Sequence, residues 1–223
     1  MNTKFGKFRM LAGAAGFVAS IGWCAASAAP LPEPTIDLPK SGAKAPATAV
    51  FAGGCFWGVD AVFKHVKGVT SVTSGYSGGG AKTAHYELVG SGMTGHAEAV
   101  QVVYDPSQIS YGQLLRVFFS VAHDPTEVNR QGPDSGTQYR SAIFFADPDQ
   151  QRVAKAYIAQ LNAAKSFSKP IATEVAPLSA FYSAEDYHQN YLALHPESMY
   201  IVINDQPKLA QLRKQFPELY VTR

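Results

Sequence analysis

The segment Phe51-Ala-Gly-Gly-Cys55-Phe56-Trp57-Gly58 sets one thiol between an apolar run and residues with helical spacing. A thiol at the point where a strand turns into a helix meets unpaired N–H groups and the positive end of the helix dipole. Both favour thiolate over thiol, so the expectation is an activated nucleophile. Three other segments carry more polar groups than a scaffold requires. The first is the loop Gly75-Tyr76-Ser77-Gly78-Gly79-Gly80, leading into His85-Tyr86-Glu87. The second, Gly95-His96-Ala97-Glu98, enters a strand whose alternation puts Glu98 on one face with Val100, Val102 and Tyr104. A carboxyl on an apolar face holds its proton to higher pH, toward the range of a general acid. The third runs from Arg130 to Arg140, includes Asp134 and Tyr139, and is a loop dense in hydrogen-bonding groups just before an apolar strand.

Each of these residues also has a plain structural reading. Cys55 can be a small buried hydrophobe, Phe56 and Trp57 ordinary core, Glu98 a solvated strand end and Asp134 a turn former. His188 and Tyr191, three apart on what reads as one helix face, suit packing as well as catalysis. The six histidines are scattered, with neither HExxH nor a second cysteine near Cys55, which argues against a metal site.

The elements that must position these groups alternate between strand and helix signals from Thr48 onward. Ala49–Ala52 reads as a buried strand, followed by a helix from Cys55 carrying Val59, Val62, Phe63 and Val66 and ended by Gly68. Val69–Gly75 and Ala97–Tyr104 read as strands. Ser110-x-x-Gln113 forms a capping box opening a helix through Val121. Ala142–Phe145 is a strand, Asp147-Pro148 starts a helix, Ala172–Val175 is a weak strand, Ser183 caps a helix through Leu194, and Asp205-Gln206-Pro207 opens the last helix. This pattern predicts an α+β fold, a two-layer α/β sandwich with a central mixed sheet, flanking helices and a ferredoxin-like core.

Residues 1–29 have a basic start, an apolar stretch from Met10 to Trp23 and a close of small residues, Ala26-Ser27-Ala28, the pattern of a secretory signal. The stretch is too short for a stable membrane anchor, and Trp23 before Cys24 argues against lipidation. Its removal takes away Lys4, Lys7 and Arg9, leaving 16 basic residues against 17 acidic ones, so the formal charge goes from +2 to −1. No basic cluster remains to bind nucleic acid. Residues 30–46, rich in Pro and Ala, read as a flexible linker, and 47–223 as one catalytic domain. The mature chain then holds a single cysteine in an oxidising compartment, periplasmic or extracellular, where no internal disulfide is available.

Taken together, Gly54-Cys55-Phe56-Trp57-Gly58, Gly75-Tyr76-Ser77-Gly78-Gly79, Gly95-His96-Ala97-Glu98-Ala99-Val100 and Gly136-Thr137-Gln138-Tyr139-Arg140-Ser141 occur in this order in the A-type peptide methionine sulfoxide reductases. The resemblance covers residues 48–205. It implies that Cys55 attacks the sulfur of the S epimer of methionine sulfoxide, free or within oxidised proteins, and that Phe56 and Trp57 enclose the methyl group. It further implies that Glu98 delivers a proton to the sulfoxide oxygen, that Tyr86 and Tyr139 hydrogen-bond that oxygen, and that Asp134 orients the site. His188 and Tyr191 are expected to border the pocket. No bound cofactor is implied, and the chain is expected to be a monomer.

The chain also departs from the family. Asp60 stands where many members have Glu, a change expected at the surface or behind the site, and Pro133 stands where Asn is common. The tail after His195-Pro196 runs through Tyr200-Ile201-Val202-Ile203 into a helix without the recycling cysteines of many relatives. The sulfenic acid left on Cys55 would therefore need an external thiol reductant, a thioredoxin-like protein or a small thiol. Two other functions stay open on the residues alone. One is a cysteine hydrolase with His188 or His96 as base, which needs no reductant. The other is an aromatic module that holds methionine-rich or oxidised segments, with Cys55 structural.

Overall fold

The computed structural model describes residues 30–39 and 45–223; residues 1–29, read above as a secretory signal, lie outside them. Strand β1 (Ala47–Gly53) leads into helix α1 (Phe56–Lys64), and β2 (Val69–Ser77) follows. A short helix α2 (Tyr86–Val89) precedes β3 (Ala97–Tyr104). Helix α3 (Tyr111–Val117) continues into a π-helical turn over Phe118–Ala122. The hairpin β4 (Arg130–Gln131) and β5 (Asp134–Ser135) comes next, then β6 (Ser141–Phe145), α4 (Pro148–Ala163), β7 (Glu174–Pro177) and β8 (Phe181–Ser183). Helix α5 (Tyr191–Leu194), a π-helical turn over Ile201–Asp205 and α6 (Gln206–Gln215) complete the chain.

The main sheet has the order β7-β6-β1-β3-β2-β8, with β6 and β7 parallel and every other neighbouring pair antiparallel. Its four central strands, connected through α1 and α3, form the split βαβ arrangement of a ferredoxin-like core, as expected. The flanking pair makes the sheet curl. β7 and β8 occupy opposite edges but are joined by residues 178–180 alone. Four Cα steps reach about 14 Å, whereas the edges of a flat six-stranded sheet lie about 24 Å apart. The inner curve is lined by Val50, Ala52, Ala97, Ala99, Ala142 and Phe144, mostly small side chains, and Leu178 and Phe181 pack into it.

The other face carries the main core. Phe51 of β1 stacks between Phe63 of α1 and Phe118 after α3, with ring centroids 5.2 and 5.0 Å away. Alternation along β3 puts Val100, Val102 and Tyr104 in this core and Ala97 and Ala99 on the inner curve, as the period of two requires. The Ser110–Gln113 capping box forms as read from sequence. The helix after Cys55 ends at Lys64, and Gly68 sits with φ +88° in the turn that follows.

Residues 30–39 correct the expectation of a free linker. Asp37 accepts from the Gly112 N–H at 2.7 Å and the Ser110 hydroxyl at 2.5 Å, covering the start of α3. Arg116 pairs with Glu33, and the Tyr157 hydroxyl donates to the Pro32 carbonyl at 2.8 Å. Proline-rich composition removes regular structure but not the carbonyls and carboxylates that bind a helix end. Asp37→Ala is expected to lower unfolding stability by about 1–2 kcal/mol in urea titration; an unchanged midpoint would contradict this docking.

Candidate active site

Cys55 is the N-cap residue of α1. The turn that puts it there requires Gly54, whose φ is +84° and where a Cβ would come within 2.5 Å of the Gln131 side chain. The thiol is 7% exposed and opens on a cavity of about 220 Å³. Phe56, Trp57, Tyr86, Glu98, Asp134 and Tyr139 line that cavity, so residues from four separate segments converge on it. Larger hollows lie elsewhere, one of about 360 Å³ between Leu38 and Tyr111 among them. Of the cavities among the described residues, the one at Cys55 joins a thiol to a buried carboxyl and phenols.

The electrostatics correct the expectation of a resting thiolate. Burial pushes the Cys55 thiol well above its ordinary range, and the Glu98 and Asp205 carboxylates push in the same direction. The Trp57 N–H at the helix start and the Lys208 ammonium oppose them without prevailing. The helix terminus acts in the expected sense, but desolvation is larger. Glu98, only 3% exposed, is pushed by burial up to about 8. The Phe56 N–H, donating to its Oε2 at 3.1 Å, pulls the other way, and the negative charge of Asp134 adds to the rise. At neutral pH the site thus holds a thiol and a protonated carboxyl. Burial and the charge of Glu98 also raise Tyr86 and Tyr139, so both phenols remain donors.

Each group is fixed from behind. Glu185 takes the Tyr86 N–H on Oε1 at 3.0 Å and the Tyr76 hydroxyl on Oε2 at 2.9 Å, which anchors α2 to the sheet. Gln138 donates to the Gly90 carbonyl at 3.1 Å, tying the turn of Tyr139 to the end of α2. Asp134 accepts from the hydroxyl of Tyr200, which also lines the cavity.

This arrangement agrees with what comparison with known proteins shows. The family model described as "Peptide methionine sulfoxide reductase" matches residues 47–220. The chain belongs to this family. It is 58% identical over 173 residues to the peptide methionine sulfoxide reductase MsrA 2 of Mesorhizobium japonicum, covering 78% of this chain and 89% of that one. The MsrA 2 of Synechocystis is 52% identical over 190 residues, covering 84% and 89%. Among solved structures, reduced Mxr1 of Saccharomyces cerevisiae is similar with a TM-score of 0.62 and 33% identity, covering 69% of this chain and 87% of that one. Methionine sulfoxide reductase A of Corynebacterium diphtheriae gives 0.60 and 36%, covering 75% and 84%. The chain is therefore a peptide-methionine (S)-S-oxide reductase, and its reaction is thiol-dependent.

Within this reductase two residues expected at the pocket border stand one step back. His188 ends a 3₁₀ turn and Tyr191 begins α5, so they do not share a helix face. Neither lines the cavity. The Trp57 Nε1–H donates to His188 Nδ1 at 3.1 Å, and the Tyr191 ring stacks on the indole at 3.7 Å and 6°. They hold Trp57 in place. Asp60, expected at the surface or behind the site, is buried. Lys64 donates to both Asp60 Oδ2 and Asn190 Oδ1 at 2.7 Å, locking the residue before Tyr191 onto α1. His96 bridges the glycine loop, accepting from the Gly79 N–H at 3.2 Å and donating to the Gly80 carbonyl at 3.0 Å. With both ring nitrogens used, it is no base for a hydrolase.

Tyr200 and Asp205 are the functional neighbours that the sequence did not single out, because the run after His195-Pro196 has neither strand nor helix periodicity. Its one signal was a tyrosine placed directly before an apolar triplet. Tyr191→Ala is expected to raise KM for a sulfoxide substrate several-fold, about 0.5–1.5 kcal/mol of lost indole support, with kcat little changed. Steady-state kinetics measure this, and an unchanged KM would remove Tyr191 from that role.

Proposed function

We propose that Cys55 is the nucleophile, Glu98 the proton donor and Phe56 and Trp57 the methyl pocket. The observation that carries this reading is a thiol and a buried carboxyl sharing one small cavity, with Phe56 joining them through its N–H and its ring. A sulfoxide oxygen leaves poorly until it is protonated, so a carboxyl neutral at pH 7 and two phenol donors supply what the step needs. The Cys55 sulfur bonds to the sulfoxide sulfur as Glu98 gives its proton to the oxygen. The thiol proton replaces the one Glu98 has lost. The oxygen then moves to Cys55, methionine departs, and a sulfenic acid remains. Two external thiols convert that acid to thiol and water and leave as a disulfide, so no bound cofactor takes part.

The reductant is an external thiol, a thioredoxin-like protein or a small thiol, since Cys55 has no partner cysteine among the described residues. We place the enzyme outside the cytoplasm on the strength of residues 1–29, acting as a monomer on free or protein-bound sulfoxide. Cys55→Ser is expected to abolish methionine formation from the S sulfoxide with the fold intact, and retained turnover would overturn the assignment. In single-turnover experiments the rate of sulfenic acid formation should fall as pH rises through about 8, where Glu98 loses its proton. Glu98→Gln should slow that step by about 10²–10⁴-fold at neutral pH and abolish the fall. An unchanged rate would remove Glu98 from the acid role.

A further inference from the structure

Gly58 lies in the first turn of α1, three residues after Cys55, and an ion pair fills the space that a side chain would take there. A Cβ on Gly58 would stand 2.1 Å from Asp205 Oδ1 and 2.6 Å from Lys208 Nζ. Asp205 ends the π-helical turn that follows Tyr200, and Lys208 in the first turn of α6 donates to its Oδ1 at 3.1 Å. Asp205 is 0% exposed, and its Oδ2 has no hydrogen-bond partner. Apolar side chains of similar volume would hold α6 to α1 at least as firmly as a buried ion pair. Packing alone therefore does not account for charges at this spot.

We propose that Asp205 and Lys208 are positioning residues that set the ionisation of Cys55. Lys208 favours the thiolate that forms as substrate reacts, and Asp205 both holds that ammonium against Gly58 and opposes a thiolate at rest. The inference rests on Cys55 being the nucleophile.

The charged and titratable groups around the thiol give the pair its place. Glu98 faces Cys55 from β3, and Asp134, Tyr86, Tyr139 and Tyr200 face the same cavity. Glu98 and Asp205 act against the thiolate, while the Trp57 N–H and Lys208 act for it. Among the described residues, Lys208 is the side-chain cation in that balance. Burial raises the carboxyl of Asp205 itself, Lys208 lowers it, and Asp134 raises it again. The final glycine of the Gly54–Gly58 motif thereby gains a reason: any side chain there would displace the pair.

The test is the pH dependence of Cys55 alkylation by iodoacetamide in the full mature chain, comparing wild type with Lys208→Met, Lys208→Gln and Asp205→Asn. At a fixed pH below the midpoint, both Lys208 variants should react about three- to tenfold more slowly and Asp205→Asn faster by a similar factor. Loosening of the fold would instead expose the thiol and speed every variant. Lys208→Gln keeps a donor for Asp205 should Lys208→Met fail to fold. Unmoved profiles, or shifts of one sign in all variants, would overturn the proposal. Methionine formation by the wild type is measured alongside. If it is absent while the opposite shifts appear, the proposed roles fail and the charge pair stands; the reverse pattern removes the pair alone.

Discussion

Desolvation of two acids in one cavity is the constraint on which the rest of this structure depends. Cys55 and Glu98 are both nearly sealed from water, and a charge on Glu98 further raises the cost of ionising Cys55. A single hydrogen bond from Phe56 to Glu98 is too little to hold a carboxylate there. Cys55 and Glu98 are therefore both uncharged at rest. A neutral thiol is a poor target for peroxide and other oxidants, whereas a protonated carboxyl is the group a sulfoxide oxygen needs. The same burial that would silence the nucleophile equips its acid, and substrate binding must supply the difference.

The fold serves this constraint through its edges and its tail. Curling of the sheet brings β8 beside β2, from which Glu185 reaches both Tyr76 and Tyr86 and fixes the phenol side of the cavity. The indole side depends on layers of support: Lys64 joins Asp60 to Asn190, Tyr191 stacks on Trp57, and His188 takes its N–H. Tyr200 closes the remaining gap with an edge against Trp57 at 5.8 Å and a hydrogen bond to Asp134. The cysteine-free tail is thus part of the pocket wall.

The sequence disclosed most of the site because four motifs carry residue types that scaffolds seldom need. Alternation set Glu98 in phase with Val100 and Val102 on the core face, while its place near the start of the strand left a solvated position open. Two features were misread for definite physical reasons. The dipole argument for Cys55 weighed the helix start but had no measure of burial, which depends on residues as distant as Tyr139 and Tyr200. The grouping of His188 with Tyr191 assumed a continuous helix, which the left-handed backbone at Asn190 (φ 57°) interrupts. Residues 30–39 escaped as well, because a docked extended segment has no periodicity.

Direct observation of the Glu98 proton tests the central claim. Infrared difference spectra between wild type and Glu98→Gln, recorded across pH, report whether that carboxyl is protonated. The account predicts a protonated carboxyl band that persists through neutral pH and disappears near 8. A Glu98 carboxylate band already present at pH 5 would contradict a neutral resting Glu98 and the proton-donor role built on it.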